Sequence, residues 1–137
     1  MGLTLPLPAQ PTGRAAPTAE VDPAAEEARA ARQAEDDLAA RRLLQRAHDL
    51  VLANEAERAT KMFETVLEQF PTSMVRYEAH LALGKQHMEN SDSARALQHL
   101  GRIRELEKVD GELNETLREV LLEGLYLTGV VYYHAGQ

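Results

Sequence analysis

The 137 residues carry a formal net charge of −7, only two Phe, no Trp and no Cys. That balance lacks both the basic footprint and the stacking aromatics of a nucleic-acid binder, and it excludes disulfides, thiolate chemistry and Cys-based zinc sites. No apolar run approaches the roughly 20 residues of a membrane span, and the length allows one domain.

Residues 1–22 are rich in Pro, Ala and Thr without periodicity. Pro6, Pro8, Pro11 and Pro17 fix φ and remove backbone donors, so the spacing predicts an extended, polyproline-like tail. Met1–Ala9 is mildly apolar and Leu7-Pro8-Ala9-Gln10 contains a small residue, as a cleaved export signal would. The reading leans toward an exported, periplasmic protein over a cytoplasmic one. Against it stand the missing basic stretch and the interrupting prolines.

Asp22-Pro23-Ala24-Ala25-Glu26-Glu27 is a helix start: Asp22 can accept from free N–H groups, Pro23 suits the first helical position, and the glutamates face the positive end of the dipole. Helix formers continue to about Ala53, a rod of about 45 Å. Its first part, residues 23–39, offers only Ala24, Ala28, Ala31 and Leu38 on one face beside many charges. So thin a stripe reads as a solvated helical extension, the alternative being an Ala-lined face gripping another helix.

From residue 40 to 137 the sequence reads as a helical domain. Leu43, Ala47, Leu50 and Val51 recur at helical spacing, Asn54-Glu55 marks a turn, and Ala56–Phe70 follows with Ala59, Met62, Phe63, Val66, Leu67 and Phe70 inward. After Pro71-Thr72-Ser73 come helices over Val75–Met88 and Ser93–Leu106, the second capped by Asp92 or Ser93, and then one over about Leu113–Ala135. Within this region the order small residue, Ala, large apolar residue recurs. Ala47, Ala59 and Phe63 are answered by Gly84, Ala96 and Leu100, each 37 residues later, and Gly129 begins a third copy 45 residues after Gly84. A shared offset of this size signals a helical repeat array.

With Leu83-Gly84-Lys85-Gln86-His87, the paired Ala59 and Ala96, and the junction Phe70-Pro71-Thr72-Ser73, residues 40–137 resemble the tetratricopeptide (TPR) family, in its bacterial form, cut after the first helix of a third repeat. The departures are His80 where the family places a bulky residue and Lys108 where it places a closing Pro. The resemblance implies an all-α solenoid fragment of antiparallel helical hairpins. It also implies a concave groove lined by the first helix of each repeat: Arg41, Leu44, His48 and Val51, then Glu78, Leu81, Lys85 and Met88, then Glu123, Tyr126, Val130 and Tyr133. The Lys/Asn clamp with which some members hold a peptide carboxylate is absent, since Leu44 and His48 stand at its places in the first repeat. What is left is a mixed apolar groove suited to a helix or an extended peptide of a protein partner, or one covered by the chain's own N-terminal segment.

Chemistry is sparse. His80 and His87 lie seven residues apart on one helix, about 10 Å along its axis, and His48, His99 and His134 have no partner at metal-ligand spacing. No Gly-rich loop follows a strand. The sequence therefore predicts no catalytic, metal or cofactor site, no small-molecule substrate, and a scaffold or adaptor function. The alternative is a structural subunit of an oligomer or a larger complex with no exchangeable ligand. The C-terminal helix supports either reading. It is apolar around nearly its whole circumference, so Leu122, Leu125, Val130, Val131 and Tyr133 are expected to form an interface with another copy, another subunit or further repeats.

Overall fold

The computed structural model describes residues 2–6 and 22–136, and all regular structure among them is helical. Residues 2–6 are exposed and form no element, while the rest of the tail expected over 1–22, apart from Asp22, lies outside the described residues. The chain forms two compact units, Met1–Arg32 and Gln33–Gln137. In the first, helix α1 (Pro23–Leu52) starts as its sequence dictates: Asp22 Oδ1 accepts from the Ala24 N–H at 3.1 Å and the Asp22 carbonyl from Glu26 N–H at 3.0 Å. Residues 22–32 are all exposed.

The second unit holds the C-terminal part of α1, then α2 (Ala56–Gln69), α3 (Arg76–Glu89), α4 (Ser93–Ile103), a 3-10 turn (Arg104–Lys108) and α5 (Glu115–Ala135). Each boundary has a local cause. Asn54 and Ser91 take left-handed backbone conformations at φ 62° and 59°, reversing the chain before α2 and α4. Asp92 caps α4 by accepting from Arg95 N–H at 3.1 Å, and Asn114 caps α5 by accepting from Leu117 N–H at 2.8 Å. Ser73, wholly buried, closes the turn after Pro71 by accepting from Val75 N–H at 3.2 Å.

Two apolar clusters share α3. Ala40, Leu44 and Ala47 of α1 meet Ala59, Phe63 and Val66 of α2 and Val75, Ala79 and Leu83 at and within α3. Tyr77 and Leu81 on another face of α3 meet Ala96, Leu100 and Ile103 of α4, Leu106, and Leu117, Val120 and Val131 of α5. Phe63 is the largest side chain with no exposed surface, and truncating it to Ala would cost about 3–5 kcal/mol.

Small residues set the helix spacing. Ala47, Ala59 and Ala96 have no exposed surface, and a Cβ on Gly84 would lie 2.9 Å from Leu100 Cδ2. On α5 the corresponding close approach falls at Gly124, where a Cβ would lie 2.9 Å from Ile103 Cγ2. Gly129, the expected start of a third copy, is exposed with nothing within 4 Å. The helix phase set by Val120, Gly124 and Val131 on the core side turns position 129 outward.

Candidate binding groove

Between the end of α1, the face of α3 that carries Glu78, Leu81, Ala82 and Lys85, and the start of α5 lies an open groove of about 520 Å³. Its apolar lining comes from Val51, Phe63, Leu81, Ala82 and Val120, and its polar lining includes His48, Glu78, Lys85, Gln86, Glu89, Glu119 and Glu123. Helical periodicity explains the join. Glu78, Leu81, Ala82, Lys85 and Glu89 recur at three and four residues on α3, as do Thr116, Glu119, Val120 and Glu123 on α5.

Ion pairs link these helices. Arg41 Nη1 donates to Glu78 Oε1 at 2.7 Å, joining α1 to α3, and Lys85 Nζ lies 2.5 Å from Glu123 Oε1, joining α3 to α5. The members of the second pair are each nearly half exposed, so it contributes at most about 1 kcal/mol and chiefly fixes orientation. His48 packs edge-on against Phe63 with ring centroids 5.2 Å apart. Val51 is 44% exposed, an apolar surface open to a ligand.

Of the twelve residues expected in the groove, the structure brings together His48, Val51, Glu78, Leu81, Lys85 and Glu123. Leu81 is only 8% exposed and shows just its edge. Arg41 lines an adjoining hollow with Leu38, Met74 and Glu78. Leu44 is not a groove residue: at 3% exposure it belongs to the α1–α2–α3 core, one turn before Ala47 on the same face. Met88 packs on the second cluster and lines a separate hollow with Val131 and His134.

Tyr126, Val130 and Tyr133 also lie outside the groove. With Leu125, Gly129 and His134 they line a shallow surface depression on α5, away from Val120, Gly124 and Val131, which pack inward. On that outward face Leu122, Tyr126 and Tyr133 are 61%, 71% and 66% exposed. The expected C-terminal interface thus keeps Leu122, Leu125 and Tyr133 on open surface, with Val130 half-buried beside them in the depression. Val131 departs from it, because at 4% exposure it is part of the core.

The sequence reading missed a histidine cluster. His80 Nδ1 of α3 and His99 Nδ1 of α4 lie 3.1 Å apart, and the His87 ring stacks on His99 with centroids 5.4 Å apart and planes 6° apart. Burial, reinforced by His99, Arg102 and Arg76, pushes the His80 imidazole down to about 4, and burial with His87 lowers His99. No group of three His, Cys, Asp or Glu side chains with metal-binding geometry occurs among the described residues. Nor is any helix among them long and apolar enough to cross a membrane.

The molecule is thus an all-helical protein in which α3 packs against α2, α4 and α5 and whose described cavities are open grooves. No family model, curated protein or solved structure matches the chain.

Proposed function

We propose that this chain is a non-catalytic, TPR-like interaction module that binds a helix or an extended segment of a partner protein in the groove between α1, α3 and α5. The observation that carries the proposal is the groove itself: an open concavity drawn mainly from the alternate helices α1, α3 and α5, with Val51 exposed in its apolar lining and a border of charged side chains held in place by Arg41–Glu78 and Lys85–Glu123. Such a surface suits segments that insert apolar anchors and orient by their polar flanks. The matched positions Ala47/Gly84, Ala59/Ala96 and Phe63/Leu100, all buried at helix contacts, support a repeat origin for the fold.

The test is affinity capture from source cells with two variants in parallel. Val51→Asp alters an exposed groove residue, and Leu122→Gln alters the outward face of α5. A partner lost with Val51→Asp and kept with Leu122→Gln supports the groove. The converse supports a second reading, a structural subunit, favoured by the exposed Leu122, Tyr126 and Tyr133 on one helix face.

A further inference from the structure

A second concavity, separate from the groove, is formed where α3 and α4 face the end of α2. It encloses about 320 Å³ and is lined by Leu67, Pro71, Arg76, His80, Gln98, His99 and Arg102. In a chain of net charge −7 this lining holds two arginines, two histidines and no carboxylate. The arginines are held from behind. Arg76 Nη1 donates to the Ser73 carbonyl at 2.9 Å and its Nη2 to the Tyr77 hydroxyl at 2.8 Å, and that hydroxyl donates to Glu105 Oε2 at 3.2 Å. The other oxygen of Glu105 lies 3.1 Å from Arg102 Nε. One carboxylate outside the lining therefore orients both cations, while the Nη groups of Arg102 make no hydrogen bond within the described residues.

We propose that this pocket binds a tetrahedral oxyanion, a phosphate or phosphate monoester, between the Arg76 and Arg102 guanidiniums and the His80–His99 pair. Planar guanidinium donors match such an anion in geometry and charge, and two arginines held in place lose little entropy on binding it. The same geometry disfavours a metal ion. Two imidazole nitrogens 3.1 Å apart could reach one cation, but Arg76 and Arg102 face it, the nearby Glu105 carboxylate is taken up by Arg102 and the Tyr77 hydroxyl, and no carboxylate lines the pocket to ligate a metal. The charged groups acting on His80 are His99, Arg102 and Arg76, all of the sign that keeps it neutral. A bound dianion reverses that field, so binding is coupled to proton uptake by the histidine pair.

The proposal is tested by isothermal titration with sodium sulfate, whose own charge is constant over the range used. Saturable binding is expected, strengthening about fivefold between about pH 8 and about pH 6 as the pair takes up a proton. Arg102→Gln, at a side chain 60% exposed and harmless to the fold, is expected to weaken it about tenfold. Arg95→Gln removes an equal charge from the exposed surface of the same helix and is expected to change nothing. Inorganic phosphate, a phosphoserine peptide and its unphosphorylated form then identify the source. Tighter binding of the phosphopeptide assigns a modified protein segment, and equal or weaker binding assigns a small phosphate. Absence of saturable sulfate binding, equal losses in the two Arg variants, or zinc uptake that depends on His99 without anion binding would each overturn the assignment.

Discussion

Gly84 on α3 and Leu100 on α4 occupy each other's space: a Cβ on Gly84 would lie 2.9 Å from Leu100 Cδ2 and 3.0 Å from its Cγ. Leu100 has no exposed surface and cannot swing clear. Gly84→Ala gains about 1 kcal/mol of helix propensity yet is expected to lose about 1 kcal/mol net, because overpacking outweighs the gain. Gly101→Ala, on α4 with nothing within 4 Å, is expected to stabilise by about 0.5–1 kcal/mol. Urea unfolding followed by circular dichroism measures both, and a shift of the same sign in the two variants contradicts the contact.

The same reasoning applies to the paired alanines. Ala59 and Ala96 have no exposed surface, whereas Glu57 is exposed near the start of α2. Ala59→Leu and Ala96→Leu should each cost about 1–3 kcal/mol, and Glu57→Leu should change stability by under about 0.5 kcal/mol. Unaltered melting of both Ala variants would show that neither position sets a helix contact.

These small residues were legible because helix contact is written at spacings of three and four. The helix expected over Val75–Met88 and found over Arg76–Glu89, its partner beginning at Ser93 and the Asp22 cap follow from local chemistry, whereas of the two candidate caps Asp92 and Ser93 the structure selects Asp92. The rotation of α5 did not. Its apolar residues surround the helix, so periodicity gives no inward direction: of the four α5 residues expected in the groove only Glu123 lies there, joined by Thr116, Glu119 and Val120 in place of Tyr126, Val130 and Tyr133. Gly124, 40 residues after Gly84, was the available signal and lies nearer the 37-residue offset than Gly129 does. The His80–His99 contact spans 19 residues and depends on the register of α3 against α4, which no spacing rule within one helix reveals.

The histidine cluster gives stability a pH dependence. His80 is lowered from 6.5 to about 4 in the folded chain, first by burial and then by His99, Arg102 and Arg76. The unfolded chain therefore binds the proton more readily, and between those values stability falls as pH falls. Above about 6.5 both states hold neutral imidazole and the contribution is constant. Allowing for the solvent still reaching this half-buried ring, wild type should lose on the order of 1–2 kcal/mol more than His80→Gln between about pH 7 and about pH 4. Parallel pH profiles for the two proteins, measured by urea unfolding, would remove His80 from the account.

Helix α5 presents Leu122, Tyr126 and Tyr133 at 61%, 71% and 66% exposure, with Leu125 and Gly129 between them on the same outward face. Aromatic side chains beside a glycine allow a second helix to approach closely along a stripe of about 17 Å. A stable interface buries about 800 Å² on each partner, more than this handful of side chains supplies, so association of the chain with itself should be weak, in the micromolar range. Leu122→Gln, Tyr126→Ser and Tyr133→Gln combined should leave the melting temperature within about 2 °C, because none of the three side chains is buried in the core, while abolishing any concentration-dependent increase in sedimentation coefficient. Wild type that sediments as a monomer at about 100 µM is too weak to pair by this face, given that micromolar affinity leaves most chains associated at that concentration. The exposed stripe would then have to be covered by a different protein.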